Sequence, residues 1–86
     1  MRVQILGTGC AKCKALALNA ERALADLGIN AEIEKIERIA DIARFGVMMT
    51  PGLAIDGQVM TSGRVLSVAE VKAILAANAP VQAARD

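Results

Sequence analysis

The sequence predicts a single α/β domain with the element order β-α-β-α-β-β-α, in which helices cover both faces of a four-stranded mixed sheet. Three observations predict this fold class. The chain has 86 residues, a length that folds as one domain around one core. Its apolar residues change repeatedly between the spacing of strands and that of helices. An Asp-Gly pair at residues 56–57 joins two short apolar runs, which is typical of a β-hairpin.

The first half of the chain predicts two strands joined by a long helix. Arg2–Leu6 has Val3 and Ile5 on one side of the pleat, and Leu6 is apolar as well, as expected of a strand that is buried on both faces. Ala11–Leu27 has apolar residues at helical spacing, and Gly28 follows where a left-handed C-cap belongs. Residues 31–36 alternate imperfectly between isoleucine and charged residues, which is typical of a strand near the edge of a sheet.

The second half predicts a short helix, a hairpin and a closing helix. Residues 37–45 return to helical spacing, with the apolar positions Ile36, Ile39, Ala40 and Ala43. Gly52–Ile55 and Gln58–Ser62 are the antiparallel strands of the hairpin. Ser67 stands three residues before Glu70 in the pattern of a capping box, so a last helix should run to about Ala77. We expect one domain over residues 1–78 and a frayed C-terminal tail over residues 79–86.

Composition excludes several classes of function. The net charge is +1 and Phe45 is the only aromatic residue, so we expect no nucleic-acid partner. Histidine is absent, which excludes Ser-His and Cys-His catalysis. No apolar run approaches the roughly 20 residues of a membrane span, and a strand pattern rather than a signal peptide follows Met1. We therefore expect a cytoplasmic protein with no membrane partner.

The two cysteines, Cys10 and Cys13, are the candidate catalytic residues. They are three positions apart, and closing so short a loop with a disulfide stabilises a fold little. In a reducing compartment such a pair indicates catalysis or metal binding. The start of a helix favours the thiolate of Cys10, and Lys12 and Lys14 add positive charge nearby. Cys13 is then within reach of a mixed disulfide formed at Cys10.

Two motifs together carry a resemblance to a known family. The Cys-Ala-Lys-Cys motif at residues 10–13 follows the first strand, and a Thr-Pro pair at residues 50–51 directly precedes the hairpin and the closing helix. Over about residues 1–77 the sequence is similar to the small glutaredoxin-like redox-active disulfide proteins, which have a minimal thioredoxin fold. Gly9 replaces the tryptophan that precedes the pair in thioredoxins, and Ala-Lys replaces the Pro-Tyr of a typical glutaredoxin centre.

The resemblance implies a thiol–disulfide oxidoreductase that uses the redox-active disulfide itself and needs no cofactor and no metal. Cys10 is the expected attacking residue and Cys13 the resolving residue. The expected substrate-binding residues are Gly9, Ala11, Lys12, Thr50 and Pro51. In proteins of this fold the proline is cis and faces the cysteine pair, and the residue before it binds a substrate strand. The expected partners of this monomer are a disulfide-bearing protein and a thiol reductant or thioredoxin reductase.

Two other functions remain open from the sequence. Two thiolates suit a soft metal such as Cu(I), although the copper-type domains that resemble this CxxC loop have their hairpin directly after the first helix. Three methionines, Met48, Met49 and Met60, could join such a site, but methionine more often fills a core. The third interpretation is an interaction domain whose cysteines sense redox state. Turnover of a disulfide substrate distinguishes that domain from an oxidoreductase.

Overall fold

The strands predicted from the sequence form one mixed sheet. The computed structural model describes residues 1–78, so the tail expected over residues 79–86 lies outside the described residues. Along the chain the elements are β1 (Arg2–Leu6), α1 (Ala11–Leu27), β2 (Glu32–Ile36), α2 (Ile39–Arg44), β3 (Gly52–Ile55), β4 (Gln58–Ser62) and α3 (Val68–Asn78). The strand order is β2-β1-β3-β4; β1 is parallel to β2 and antiparallel to β3, which pairs antiparallel with β4. This topology confirms the predicted fold class.

The two central strands place apolar side chains on both faces of the sheet, and each face has its own core. Helices α1 and α3 cover one face, and α2 covers part of the other. The larger core comprises Val3, Ile5, Leu16, Ala17, Ala20, Ala23, Leu24, Leu53, Ile55, Leu66, Val71 and Leu75. The smaller core comprises Leu6, Ile42, Val47 and Ala54. Alternation along the strands therefore holds helices on both faces, as predicted.

Helix α2 differs from its prediction in both its start and its buried face. It begins at Ile39, directly after Arg38, whose backbone is extended at φ −80° and ψ 131°. The predicted apolar face was wrong: Ile39 is 75% exposed, whereas Ile42 is buried. Phe45, three residues after Ile42, packs beside it on the smaller core. Because the helix starts at Ile39, Glu37 lies outside it, at the carboxyl end of β2.

The three methionines singled out from the sequence differ in how deeply they are buried. Met60 packs against the larger core, as a core-filling residue does. Met48 and Met49 are 97% and 66% exposed, so the expectation that they fill a core was wrong. Both lie in the loop between α2 and β3.

The loops that matter for function meet at one edge of the sheet. The carboxyl ends of β1 and β2 lie there, together with the start of β3 and the end of β4. We call this end the cysteine edge; it comprises residues 7–10, 37–38, 47–51 and 63–67. The opposite edge carries the starts of β1 and β2 and the turn of the hairpin. A helix long and apolar enough to cross a membrane is not found within residues 1–78.

Candidate active site

Cys10 is the residue that joins the β1–α1 turn to α1. Its backbone is extended, with φ −69° and ψ 171°, and its carbonyl oxygen accepts a hydrogen bond from the Lys14 N–H at 3.0 Å as the helix begins. Gly9 precedes it at φ +89°, a conformation that glycine adopts without the strain of a side chain. This turn presents the Cys10 side chain to solvent.

The two sulfurs lie together at the start of α1. The Sγ atoms of Cys10 and Cys13 are 2.9 Å apart in the reduced protein. Cys10 is exposed, whereas Cys13, one turn into the helix, is 5% exposed. An outside sulfur can therefore reach Cys10, while Cys13 can reach only its neighbour.

The pKa values of the two thiols move in opposite directions. The hydrogen bond from the Cys13 thiol lowers the pKa of Cys10, and the backbone N–H groups of Cys13 and Lys12 lower it further. Burial raises the pKa of Cys13, and so does its hydrogen bond to Cys10. Since the thiolate is the nucleophilic form, Cys10 is the sulfur prepared to attack and Cys13 the one that keeps its proton.

The Cys13 sulfur fits beside Gly7 because glycine has no side chain. A Cβ built on Gly7 would overlap Cys13 Sγ, lie 3.1 Å from the Cys13 Cβ and lie 3.8 Å from the Cβ of Thr50. The Gly7 N–H continues the β1–β2 ladder by donating to the Ile36 carbonyl oxygen at 2.9 Å. Gly7 is thus buried between Cys13 and Thr50, and only the Gly7 backbone lies between their side chains.

The Thr-Pro pair lies beside the cysteines. The Thr50–Pro51 peptide bond is cis, as the resemblance implied. Thr50 is exposed, whereas Pro51 is buried and accepts a hydrogen bond from the Gly63 N–H at 2.8 Å. The two residues therefore fix the loop before β3 next to Gly7 and leave Thr50 on the surface near the sulfurs.

The remaining candidate substrate-binding residues surround Cys10 in the same loop and first helical turn. Ala11 and Lys12 are exposed, and Gly9 is half-buried. The structure therefore brings the expected catalytic and substrate-binding residues together, at the cysteine edge and in the first turn of α1 beside it. Their parts in binding a substrate stay predictions.

A small cavity beside Cys13 brings in residues that the sequence analysis did not single out. It measures about 50 Å³ and is lined by Ile5, Gly7, Gly9, Cys13, Lys14, Ala17, Lys35 and Glu37. An oxygen of the Glu37 carboxylate reaches the loop, 3.3 Å from where a Gly9 Cβ would lie. Lys35 is near the end of β2 and Glu37 directly follows it. The carboxyl ends of two parallel strands lie side by side. A parallel β1–β2 pair was therefore the signal that could have identified them.

The order of the elements bears on the soft-metal interpretation. Within residues 1–78 no group of three or more His, Cys, Asp or Glu side chains is placed to hold a metal ion. Helix α2 also separates β2 from the hairpin, whereas the hairpin of the copper-type domains follows their first helix directly. The observed element order thus favours disulfide chemistry over soft-metal binding.

A family model and two known proteins that match this chain are all thioredoxins. Residues 1–76 match the family model of the thioredoxin domain. A thioredoxin of Methanothermobacter thermautotrophicus is 49% identical over 75 residues, which cover 87% of this chain and 97% of that protein. A thioredoxin of Methanocaldococcus jannaschii is 41% identical over 70 residues, which cover 81% of this chain and 80% of that protein.

Proposed function

This chain belongs to the thioredoxin family, and from that premise we propose that it exchanges disulfides with partner proteins as a cytoplasmic monomer. It is a thiol–disulfide oxidoreductase, a class that acts on disulfide substrates together with a reductant. The observation that carries the proposal is the exposed Cys10 sulfur, 2.9 Å from the buried Cys13 sulfur. A large substrate can reach the exposed Cys10 thiol, and the buried Cys13 thiol beside it can then release that substrate.

The first step forms a mixed disulfide. The Cys10 thiolate attacks one sulfur of the substrate disulfide, and a bond forms between that sulfur and Cys10 Sγ. The substrate's sulfur–sulfur bond breaks, and its other sulfur leaves as a thiolate that takes a proton from water. Gly9, Ala11, Lys12, Thr50 and Pro51 form the surface against which the substrate chain lies.

The second step releases the substrate. The Cys13 thiol gives its proton to water, and its sulfur attacks Cys10 Sγ. The bond between Cys10 and the substrate breaks, and the released substrate thiolate takes up a proton from water. Two electrons have then passed from the cysteine pair to the substrate, which leaves as a dithiol. The Cys10–Cys13 disulfide is reduced again by an external dithiol, supplied by a thiol reductant or a thioredoxin reductase. No further cofactor takes part in the proposed cycle.

Trapping the mixed disulfide tests the assigned roles. Reduced Cys13→Ser is mixed with insulin, a protein disulfide, and the products are separated without reductant. We expect a stable one-to-one adduct through Cys10, because serine cannot resolve it. Cys10→Ser is the matched control and should form no adduct. An adduct of Cys10→Ser through Cys13, at the rate of the other variant, would refute the assignment.

A further inference from the structure

Two methionines stand exposed directly before the Thr-Pro pair of the active site. Met48 is 97% exposed and Met49 is 66% exposed, although both side chains are apolar. Single exposed apolar residues are common on protein surfaces and need no explanation. These two differ because they are adjacent and lead directly into Thr50, and Thr50 lies beside the cysteine pair with Gly7 between it and Cys13.

The structure holds this loop in a defined place. The Met49 side chain packs on Gly63: its Cβ, Cε and Sδ atoms lie 3.2, 3.5 and 3.6 Å from where a Gly63 Cβ would be. The Gly63 N–H donates to the Pro51 carbonyl oxygen at 2.8 Å. The loop before β3 and the loop after β4 are thereby joined, and Met49 rests on the second loop while Met48 beside it projects into solvent. We call Met48 and Met49 the methionine ridge.

The ridge is continuous with the site of exchange. Thr50 follows it in the chain, and Gly7 separates Thr50 from Cys13. Attack by Cys10 requires the substrate disulfide at this edge, so the residues on either side of the substrate's half-cystine must run over neighbouring surface. Methionine is flexible and polarizable, which lets one surface pack against side chains of different shapes.

We propose that the methionine ridge is a docking surface for the substrate segment that carries the half-cystine, and that it favours segments with a large apolar side chain next to that cysteine. This inference rests on the proposed function, in which Cys10 attacks a protein disulfide. The ridge acts on the affinity for the polypeptide and leaves the sulfur chemistry unchanged. Its contribution should therefore appear in KM for polypeptide substrates and be absent for a small disulfide.

Two disulfide-linked peptide dimers of equal length test the proposal. One has leucine on both sides of its cysteine and the other has serine at those positions. The wild-type protein should reduce the leucine peptide with a kcat/KM about fivefold to tenfold higher, the size expected from burying part of an apolar side chain. The double variant Met48→Gln/Met49→Gln should reduce both peptides at the rate of the serine peptide.

Leu18→Gln is the matched control, because Leu18 is 65% exposed on α1, as exposed as Met49, but lies away from the cysteine edge. It should keep the full preference. Equal rates on the two peptides for the wild-type protein, or a preference that survives in the double variant, would overturn the docking surface. A small aromatic disulfide should be reduced equally by all three proteins. If the wild-type protein reduces that compound but neither peptide, the proposed function itself fails.

Discussion

The two edges of the sheet are built from the same strands but leave different surfaces. At the opposite edge polar groups bind one another. The Asp56 N–H donates to the Arg2 carbonyl oxygen, and the Arg2 N–H donates to the Asp56 carboxylate, both at 2.8 Å. The Gln4 side chain accepts from the Gly57 N–H at 2.8 Å and donates to Glu34 at 3.3 Å. The open concavity there, about 710 Å³, is lined largely by polar residues and holds neither cysteine.

At the cysteine edge the reactive and apolar side chains are exposed to solvent. Cys10 and Thr50 are exposed, and the methionine ridge lies beside them. The backbone is held by Gly7 and Gly63, while the side chains that meet solvent are left free. One edge thus stabilises the sheet and the other presents the chemistry. We therefore expect substitutions at the opposite edge to change stability alone, whereas a substitution beside the cysteines can change both stability and exchange.

The largest effect is expected from Gly7→Ala, because it adds a Cβ where the Cys13 sulfur lies. Overpacking there should lower the free energy of unfolding by about 1 to 3 kcal/mol. Displacing Cys13 should also lengthen the life of the mixed disulfide. Urea unfolding measures the first effect, and acid quenching during insulin reduction measures the second.

Gly46→Ala is the control for that substitution. Gly46 has φ +76°, and its Cβ would meet open space, so the variant should lose about 1 kcal/mol from backbone strain. The life of its mixed disulfide should match that of the wild-type protein. An unchanged life in Gly7→Ala would show that Cys13 tolerates displacement.

The next effect is the order in which the two thiols react with an alkylating agent. The pKa of Cys10 is lowered and that of Cys13 is raised, so at neutral pH Cys10 should be alkylated at least about tenfold faster. The Cys10 rate should level off at a lower pH than an ordinary thiol, because its thiolate forms earlier. Mass spectrometry of the singly alkylated protein identifies the site. First modification at Cys13 would reverse the assigned roles.

At the opposite edge, Gln4→Leu should cost stability alone. The substitution removes the hydrogen bonds to Gly57 and Glu34, and we expect a loss of about 1 kcal/mol in urea unfolding. Insulin reduction should proceed at the wild-type rate. Gln58→Leu, at an exposed position of β4, is the control and should change stability by less than about 0.5 kcal/mol. Slower exchange in Gln4→Leu would show that the two edges are coupled.

The smallest effect concerns the start of α3 at the cysteine edge. The Glu70 carboxylate accepts from the Ser67 N–H at 2.9 Å and from Arg64 at 2.7 Å, and these bonds lower the pKa of Glu70. A lowered folded-state pKa stabilises the fold above the ordinary pKa of glutamate, and this stabilisation is lost as pH falls through the lowered value. The stability advantage of wild type over Glu70→Gln should therefore shrink from about pH 7 to about pH 3. A constant difference across that range would contradict this linkage.

Local signals predicted the element order well. The hairpin turn is at Asp56 and Gly57, both at positive φ, and Gly28 is the left-handed C-cap of α1. Ser67 and Glu70 form the predicted reciprocal cap. Each of these features depends on residues within a few positions of one another. Turn chemistry and capping therefore identify them without knowledge of the fold.

The residues that surround the two sulfurs are set by which strands lie next to one another in the sheet. Glu37 is 24 positions after Cys13 in the sequence and lines the same cavity only because β2 lies beside β1. The close approach of Gly7 to the Cys13 sulfur, the burial of Ile42 instead of Ile39 and the exposure of the methionine ridge likewise follow from how the elements pack against one another. The sequence by itself determined the fold class and the reactive pair, since periodicity and helix starts are local. Only the tertiary structure decided what touches that pair, because contacts between distant segments arise when the strands are ordered and the helices packed.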